Sequence, residues 1–99
     1  MAKYKLTNKA VEDLNEIWDY TFDTWSEYQA DKYYEMLISS CQDIANNPEL
    51  GKNYVGITSE LFGLKVNRHI IFYRKSSDNP IEITRILHEQ MDLKSRITE

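Results

Sequence analysis

Five side chains in the last third of this chain could act on a phosphate or grip an anionic surface: Lys65, Arg68, His69, Arg85 and His88. Met91 and Asp92 follow closely, in the run "ITRILHEQMDL" at 83–93. Cutting a phosphodiester would ask this set for a base, for cations to hold the pentavalent phosphate, and for an acid to protonate the leaving oxygen. Histidine is a poor permanent phosphate clamp, because its ordinary pKa of about 6.5 leaves it mostly neutral at pH 7. Two roles are open to most of these residues. His69 sits where it can contact a partner or cap a β-turn, and Arg85 can contact a partner or pair with an acid on a neighbouring strand. Arg85 and His88 are three apart in a strand and face opposite sides, so they make no local site by themselves. Asp92 can cap a short last helix, "DLKSRI", or hold the last turn together with His88. No ordered nucleophile–base pair emerges, and a partner-facing rim is the better expectation than a catalytic centre.

The elements that must position these groups follow from hydrophobic period. "KYKLT" at 3–7 alternates and reads as a short strand. From Asn8 the period becomes helical: Val11, Leu14, Trp18 and Trp25 recur, with Ile17 beside them, and Glu12, Asp13, Glu16 and Asp19 fall between as solvated positions. Thr7 or Asn8 is the expected cap. Ser26 to Gln29 has the capping-box form that opens a second helix, whose stripe is Ala30, Tyr34, Leu37, Ile38, Cys41 and Ile44. Asn46-Asn47-Pro48 stops it, since proline disfavours helix at the residue before it. The short link makes the pair an antiparallel hairpin. Residues 48–60 hold two of the three glycines and read as a loop. Three strands follow, 61–66, 69–75 and 81–88, with turns at Asn67-Arg68 and "SSDNP".

The order strand, helix, helix, strand, strand, strand implies an α+β domain, with an antiparallel helix hairpin packed on one face of a four-stranded, mainly antiparallel sheet. If the last two strands pair, residues 69 and 88 come together at one end. Within those strands Ile70 and Phe72 oppose Ile71 and Tyr73, and Ile83 and Leu87 oppose Ile86. They are apolar on both faces, so either the chain's tail or another protein should cover the second face.

Composition narrows the function classes. Ninety-nine residues make one domain over 1–99, its tail at 93–99 expected to be mobile. The single Cys41 rules out an internal disulfide or a zinc site of cysteine pairs, and its place on the stripe of the second helix makes it a buried small hydrophobe. With two histidines and scattered glycines, neither a metal, a phosphate loop nor another cofactor is expected. No apolar run reaches the roughly 20 residues that span a bilayer, and a cytoplasmic location is the default. Residues 1–60 carry five lysines against eleven acids, a net of −6; residues 61–99 carry seven cations against five acids, a net of +2. An acidic front half offers no broad phosphate-binding surface, so direct sequence-specific nucleic-acid binding is not expected.

"NRHIIFYR" at 67–74, followed by "IEITRILHEQMDL" at 81–93, resembles the ParE toxins, a branch of the RelE/ParE superfamily of type II toxin–antitoxin systems. The opening "YKLTNKAVEDLNEIWDYT" and the helix end "IANNPELGK" are similar too, so the resemblance covers nearly the whole chain. It implies a toxin that poisons DNA gyrase, stalls replication and stabilises plasmids, held inactive by a ParD-like antitoxin whose C-terminal segment folds against it. On that reading Arg68, His69, Arg85, His88, Met91 and Asp92 form the target-binding end, and Trp18, Trp25 and Tyr33 on the hairpin contact the antitoxin. The RelE branch shares the fold but cuts mRNA on the ribosome. There an arginine commonly opens the strand where His69 stands here, and "KSRITE" offers no match for its C-terminal aromatic or histidine. A ribonuclease and a non-toxic binding module are the alternatives, and the protein is expected not to be an enzyme.

Overall fold

The computed structural model describes residues 3–53, 61–75 and 81–90. The order is β1 (Tyr4–Leu6), α1 (Asn8–Thr24), α2 (Glu27–Asn46), β2 (Lys52–Asn53), β3 (Phe62–Val66), β4 (His69–Arg74) and β5 (Ile81–His88). Helix ends fall where the capping chemistry requires. The Thr7 hydroxyl accepts from the Ala10 amide at 3.1 Å and the Ser26 hydroxyl from the Gln29 amide at 3.1 Å, each satisfying a donor that the first helical turn leaves free. The expected α+β architecture is found, with differences in strand count and direction. The described sheet has five strands in the order β1-β5-β4-β3-β2. β2, expected as loop, is a two-residue pairing of Lys52 and Asn53 with Gly63 and Phe62 on β3. β1 pairs in parallel with the start of β5, Tyr4 opposite Ile81 and Leu6 opposite Ile83, while β2 to β5 are mutually antiparallel.

The core lies between the hairpin and one face of the sheet. Ala10 and Leu14 of α1, and Leu37, Cys41 and Ile44 of α2, meet Ile71, Tyr73, Ile81, Ile83 and Ile86. Each fully buried large apolar side chain there contributes about 1.5–3 kcal/mol. The stripe expected for α2 is the buried one, Tyr34 and Ile38 lying at its margin. That of α1 is rotated. Ala10, Leu14 and Ile17 face the sheet, whereas Val11 is 41% and Trp25 73% exposed. The spacing 11-18-25 is a seven-residue repeat that lines one edge of a helix, whereas packing on a sheet selected the neighbouring 10-14-17 line.

β5 also departs from simple alternation. The β4–β5 register shifts between Phe72 and Tyr73, which oppose Arg85 and Ile83, so Thr84 is an extra residue. A bulge of this kind reverses side-chain parity beyond it. Ile83 and Ile86 therefore share the helix-side core, and Leu87 joins Leu61, Ile70 and Phe72 in a second cluster on the other face. This corrects the expected opposition of Ile83 and Leu87 to Ile86. All four members of the second cluster are buried, at 6% exposure or less, so it is closed within this chain and needs no second protein there. The exposed apolar surface lies instead on the hairpin, at Val11, Tyr20, Phe22, Trp25 and Tyr28. The tail at 93–99 lies outside the described residues. Among the described residues no helix is long and apolar enough to cross a membrane.

Candidate functional site at one end of the sheet

The β3–β4 turn has only Asn67 and Arg68 between paired Val66 and His69. Its geometry demands a positive φ, supplied by Asn67 at 58°; asparagine enters this region more readily than most side chains. Arg68 is thereby held at the tip, and its carbonyl accepts from the Glu89 amide at 2.9 Å, tying the turn to the end of β5. In the same register His69 lies opposite His88. Their rings meet edge to face, with centroids 5.2 Å apart. Arg68, His69 and His88 are thus brought together by a hairpin and a cross-strand pair. Met91 and Asp92 lie outside the described residues.

Arg85 is not part of this group. Its guanidinium grips Asp13 of α1, Nε to Oδ2 at 2.9 Å and Nη2 to Oδ1 at 3.1 Å. The Ile86 amide donates to the same Oδ2 at 3.0 Å. β1 pairs only with residues 81–83, so the Asp13 carboxylate accepts where a strand neighbour would have done so. Both side chains are nearly buried, at 11% and 8% exposure. Arg85 therefore joins helix to sheet through an acid on α1, rather than meeting an acid on a strand. Asp13, expected among the solvated positions, is the residue sequence reasoning missed. The available signal was its place at Ala10+3 and Ile17−4, on the core side of the helix.

Tyr33, assigned from the sequence to a partner contact, is half-buried and lines the larger cavity described below. Its hydroxyl is 2.6 Å from His69 Nδ1. A hydroxyl carries one proton and two lone pairs. The hydroxyl therefore donates to Nδ1 or accepts from it, according to the tautomer of His69. Burial, and then the neighbouring His88, push His69 down from the usual 6.5 to about 4, so its ring is neutral at pH 7. Burial raises the Tyr33 pKa, partly countered by the Arg68 amide, so it remains a phenol. His88 Nδ1 accepts from the Gln90 amide at 3.1 Å, which places its ring proton on Nε2. Beside them, Lys65 is 3.5 Å from Glu89 in an exposed ion pair.

Two cavities open here. One, about 400 Å³, is walled by Ile17, Ile86 and Leu87, with Glu16 on its lining. The other, about 570 Å³, is lined by Trp25, Gln29, Tyr33, Asn67 and Arg68. Tyr20, His69 and His88 line both, so they form one groove. Tyr20 and Trp25 are 69% and 73% exposed at its rim. Trp18 lies on the hairpin, stacked on Phe22 with ring centroids 5.2 Å apart, its Nε1 donating to Asp31 at 3.0 Å. No group of three or more histidine, cysteine or acidic side chains able to hold a metal occurs among the described residues.

Comparison with known proteins places this arrangement. The family model for the ParE toxin of type II toxin–antitoxin system, parDE, matches residues 4–93. The chain belongs to the ParE toxin family. It is 34% identical over 92 residues to Toxin ParE1 of Mycobacterium tuberculosis, covering 93% of this chain and 94% of that one. It is 29% identical over 97 residues to Toxin ParE1 of Caulobacter vibrioides, covering 98% and 99%. Among solved structures, the chromosomal ParDE toxin–antitoxin system of P. aeruginosa aligns with a TM-score of 0.77 at 20% identity, covering 89% of this chain and 96% of that one. The RelBE2 toxin–antitoxin complex of Mycobacterium tuberculosis aligns at 0.69 and 15% identity, covering 89% and 98%. The last two are likenesses of fold. Within this ParE-family chain, the groove at the end of β4 and β5 is where exposed aromatic, cationic and hydrogen-bonding groups converge.

Proposed function

We propose that this ParE-family toxin acts by poisoning DNA gyrase, so that replication stalls, and that a ParD-like antitoxin neutralises it. The observation that carries a binding role over a cutting role is the setting of His69, half-buried with its ring edge to face against His88. With a pKa of about 4, His69 is already deprotonated at pH 7, so it cannot serve as an acid, and it is too weak a base to take a hydroxyl proton efficiently. Arg68 is the fixed cation that lines the groove among the described residues. Stabilising a pentavalent phosphate calls for several preorganised donors, so we read the toxin as a binding protein, not an enzyme. The exposed apolar surface of the hairpin, with Trp25 foremost and Trp18 beside it, suits an antitoxin segment that folds on binding. Tyr33, half-exposed with its hydroxyl on His69, can add the face of its ring to that surface.

The test is direct. Purified chain, added to gyrase with ATP and supercoiled plasmid, should accumulate cleaved DNA that is released as linear DNA after denaturation and protease treatment. Equimolar ParD-like partner should suppress it. No linear DNA from active gyrase, with ribosome-bound mRNA cut by the same preparation, would overturn the reading in favour of a RelE-type ribonuclease.

A further inference from the structure

We infer that the groove is a carboxylate pocket: Arg68 and the Nε2–H of His88, beside the ring of His69, seat an acidic side chain of a partner protein, whose neighbouring apolar residue lies against Ile17, Tyr20, Ile86 and Leu87. This deepens the reading of this end of the sheet as a contact surface, and rests on it.

Three observations carry it. First, His88 has its Nδ1 engaged by the Gln90 amide. The donor its ring retains is therefore Nε2–H, which finds no acceptor among the described residues, and the ring lines both cavities. Second, the larger cavity has no acidic residue on its lining although it abuts α1. The outer face of that helix carries exposed Glu12, Glu16, Asp19 and Asp23. The larger cavity thus sets Arg68 and the His88 ring beside an acidic helix with no acid on its own lining, which favours an acceptor placed at that spot. Third, the smaller cavity adjoins it with an apolar wall, so a group carrying an oxyanion next to an apolar body fits the two together. A single carboxylate suits one guanidinium and an imidazole N–H, since it accepts up to four in-plane hydrogen bonds. A nucleic-acid backbone would need clustered cations, and the chain carries a net charge of −4.

The experiment is an amide-resolved NMR titration of the full chain with 3-phenylpropionate, with 3-phenylpropionamide and 2-phenylethyl phosphate as controls. The carboxylate should shift the Arg68, His69 and His88 amides and the Trp25 indole together and saturably. The amide should bind at least about tenfold more weakly, and Arg68→Gln should weaken the carboxylate by about tenfold, the worth of one charge-assisted hydrogen bond. Arg68→Lys should recover part of that loss, which a merely disturbed turn would not. Equal binding of amide and carboxylate, shifts confined to other surfaces, or indifference to Arg68→Gln overturns the inference. Phosphate binding tenfold tighter than carboxylate also overturns it, pointing to nucleic acid. Gyrase poisoning that persists without carboxylate binding sinks this inference alone, whereas carboxylate binding without gyrase poisoning sinks the target assignment alone.

Discussion

Replacing Asp13 by alanine removes the acceptor for three hydrogen bonds at once, two from Arg85 and one from the Ile86 amide. The guanidinium then stays in a site where its side chain is 11% exposed, having lost its Asp13 carboxylate. Breaking a buried pair from one side costs about 3–5 kcal/mol, because the charge that remains is desolvated and has lost that compensation. At the lower end, for a chain of this length, that is a fall in Tm of roughly 12–24 °C. The double variant Asp13→Leu with Arg85→Met removes both charges and leaves chiefly the Ile86 amide unsatisfied, a cost of about 1–3 kcal/mol. Urea unfolding of wild type, both singles and the double closes the cycle, and the coupling should exceed about 1 kcal/mol. If Asp13→Ala costs less than about 1 kcal/mol, or the double equals the sum of the singles, the assignment of Arg85 to the joint between helix and sheet is wrong.

Three further outcomes follow from the same contacts. His69 has a folded pKa of about 4 against 6.5 in the open chain, so the unfolded state binds more protons between those values. Stability should therefore fall as pH drops from about 6.5 to about 4, and His69→Phe should flatten that part of a Tm-against-pH curve; an NMR midpoint for His69 near 6.5 would remove the basis for this. Gly51→Ala would put a Cβ 2.5 Å from the Tyr73 hydroxyl and 2.8 Å from the Gly63 carbonyl, where that hydroxyl also accepts from the Gly51 amide and donates to Pro48. Denaturant midpoints should show a loss of about 1–3 kcal/mol. Cys41, fully buried and pushed up to about 12 by burial, should resist thiol reagents at pH 8 until urea unfolds the chain; rapid native-state labelling would place it outside the core.

The parts of the fold that were legible are those decided locally. The hydroxyls of Thr7 and Ser26, the stop at Asn47-Pro48 and the Asn67-Arg68 turn each state their conformation within a few residues. The meander then brought His69 and His88 together, because antiparallel pairing of β4 and β5 sets the start of one against the end of the other. What escaped the sequence depends on long-range partners. Asp13 looks solvated because an acid normally is, and what buries it is an arginine 72 residues away. Tyr33 reads as an aromatic on a helix face until a histidine 36 residues away takes its hydroxyl. The bulge at Thr84 has no glycine or proline to announce it, and one extra residue was enough to move Leu87 to the other face. β2 is too short to show alternation, so only its pairing with β3 reveals it.

If this ParE-family toxin works as proposed, its Arg68–His69–His88 end contacts a target in DNA replication. Pulse-labelling of DNA, RNA and protein synthesis in bacteria expressing the wild-type chain, Arg68→Gln or His88→Gln tests it most directly. Wild type should arrest thymidine incorporation before leucine incorporation, and each variant should lose that arrest while retaining its fold and its grip on the antitoxin. Leucine incorporation failing first, or both folded variants arresting DNA synthesis as fast as wild type, would contradict it.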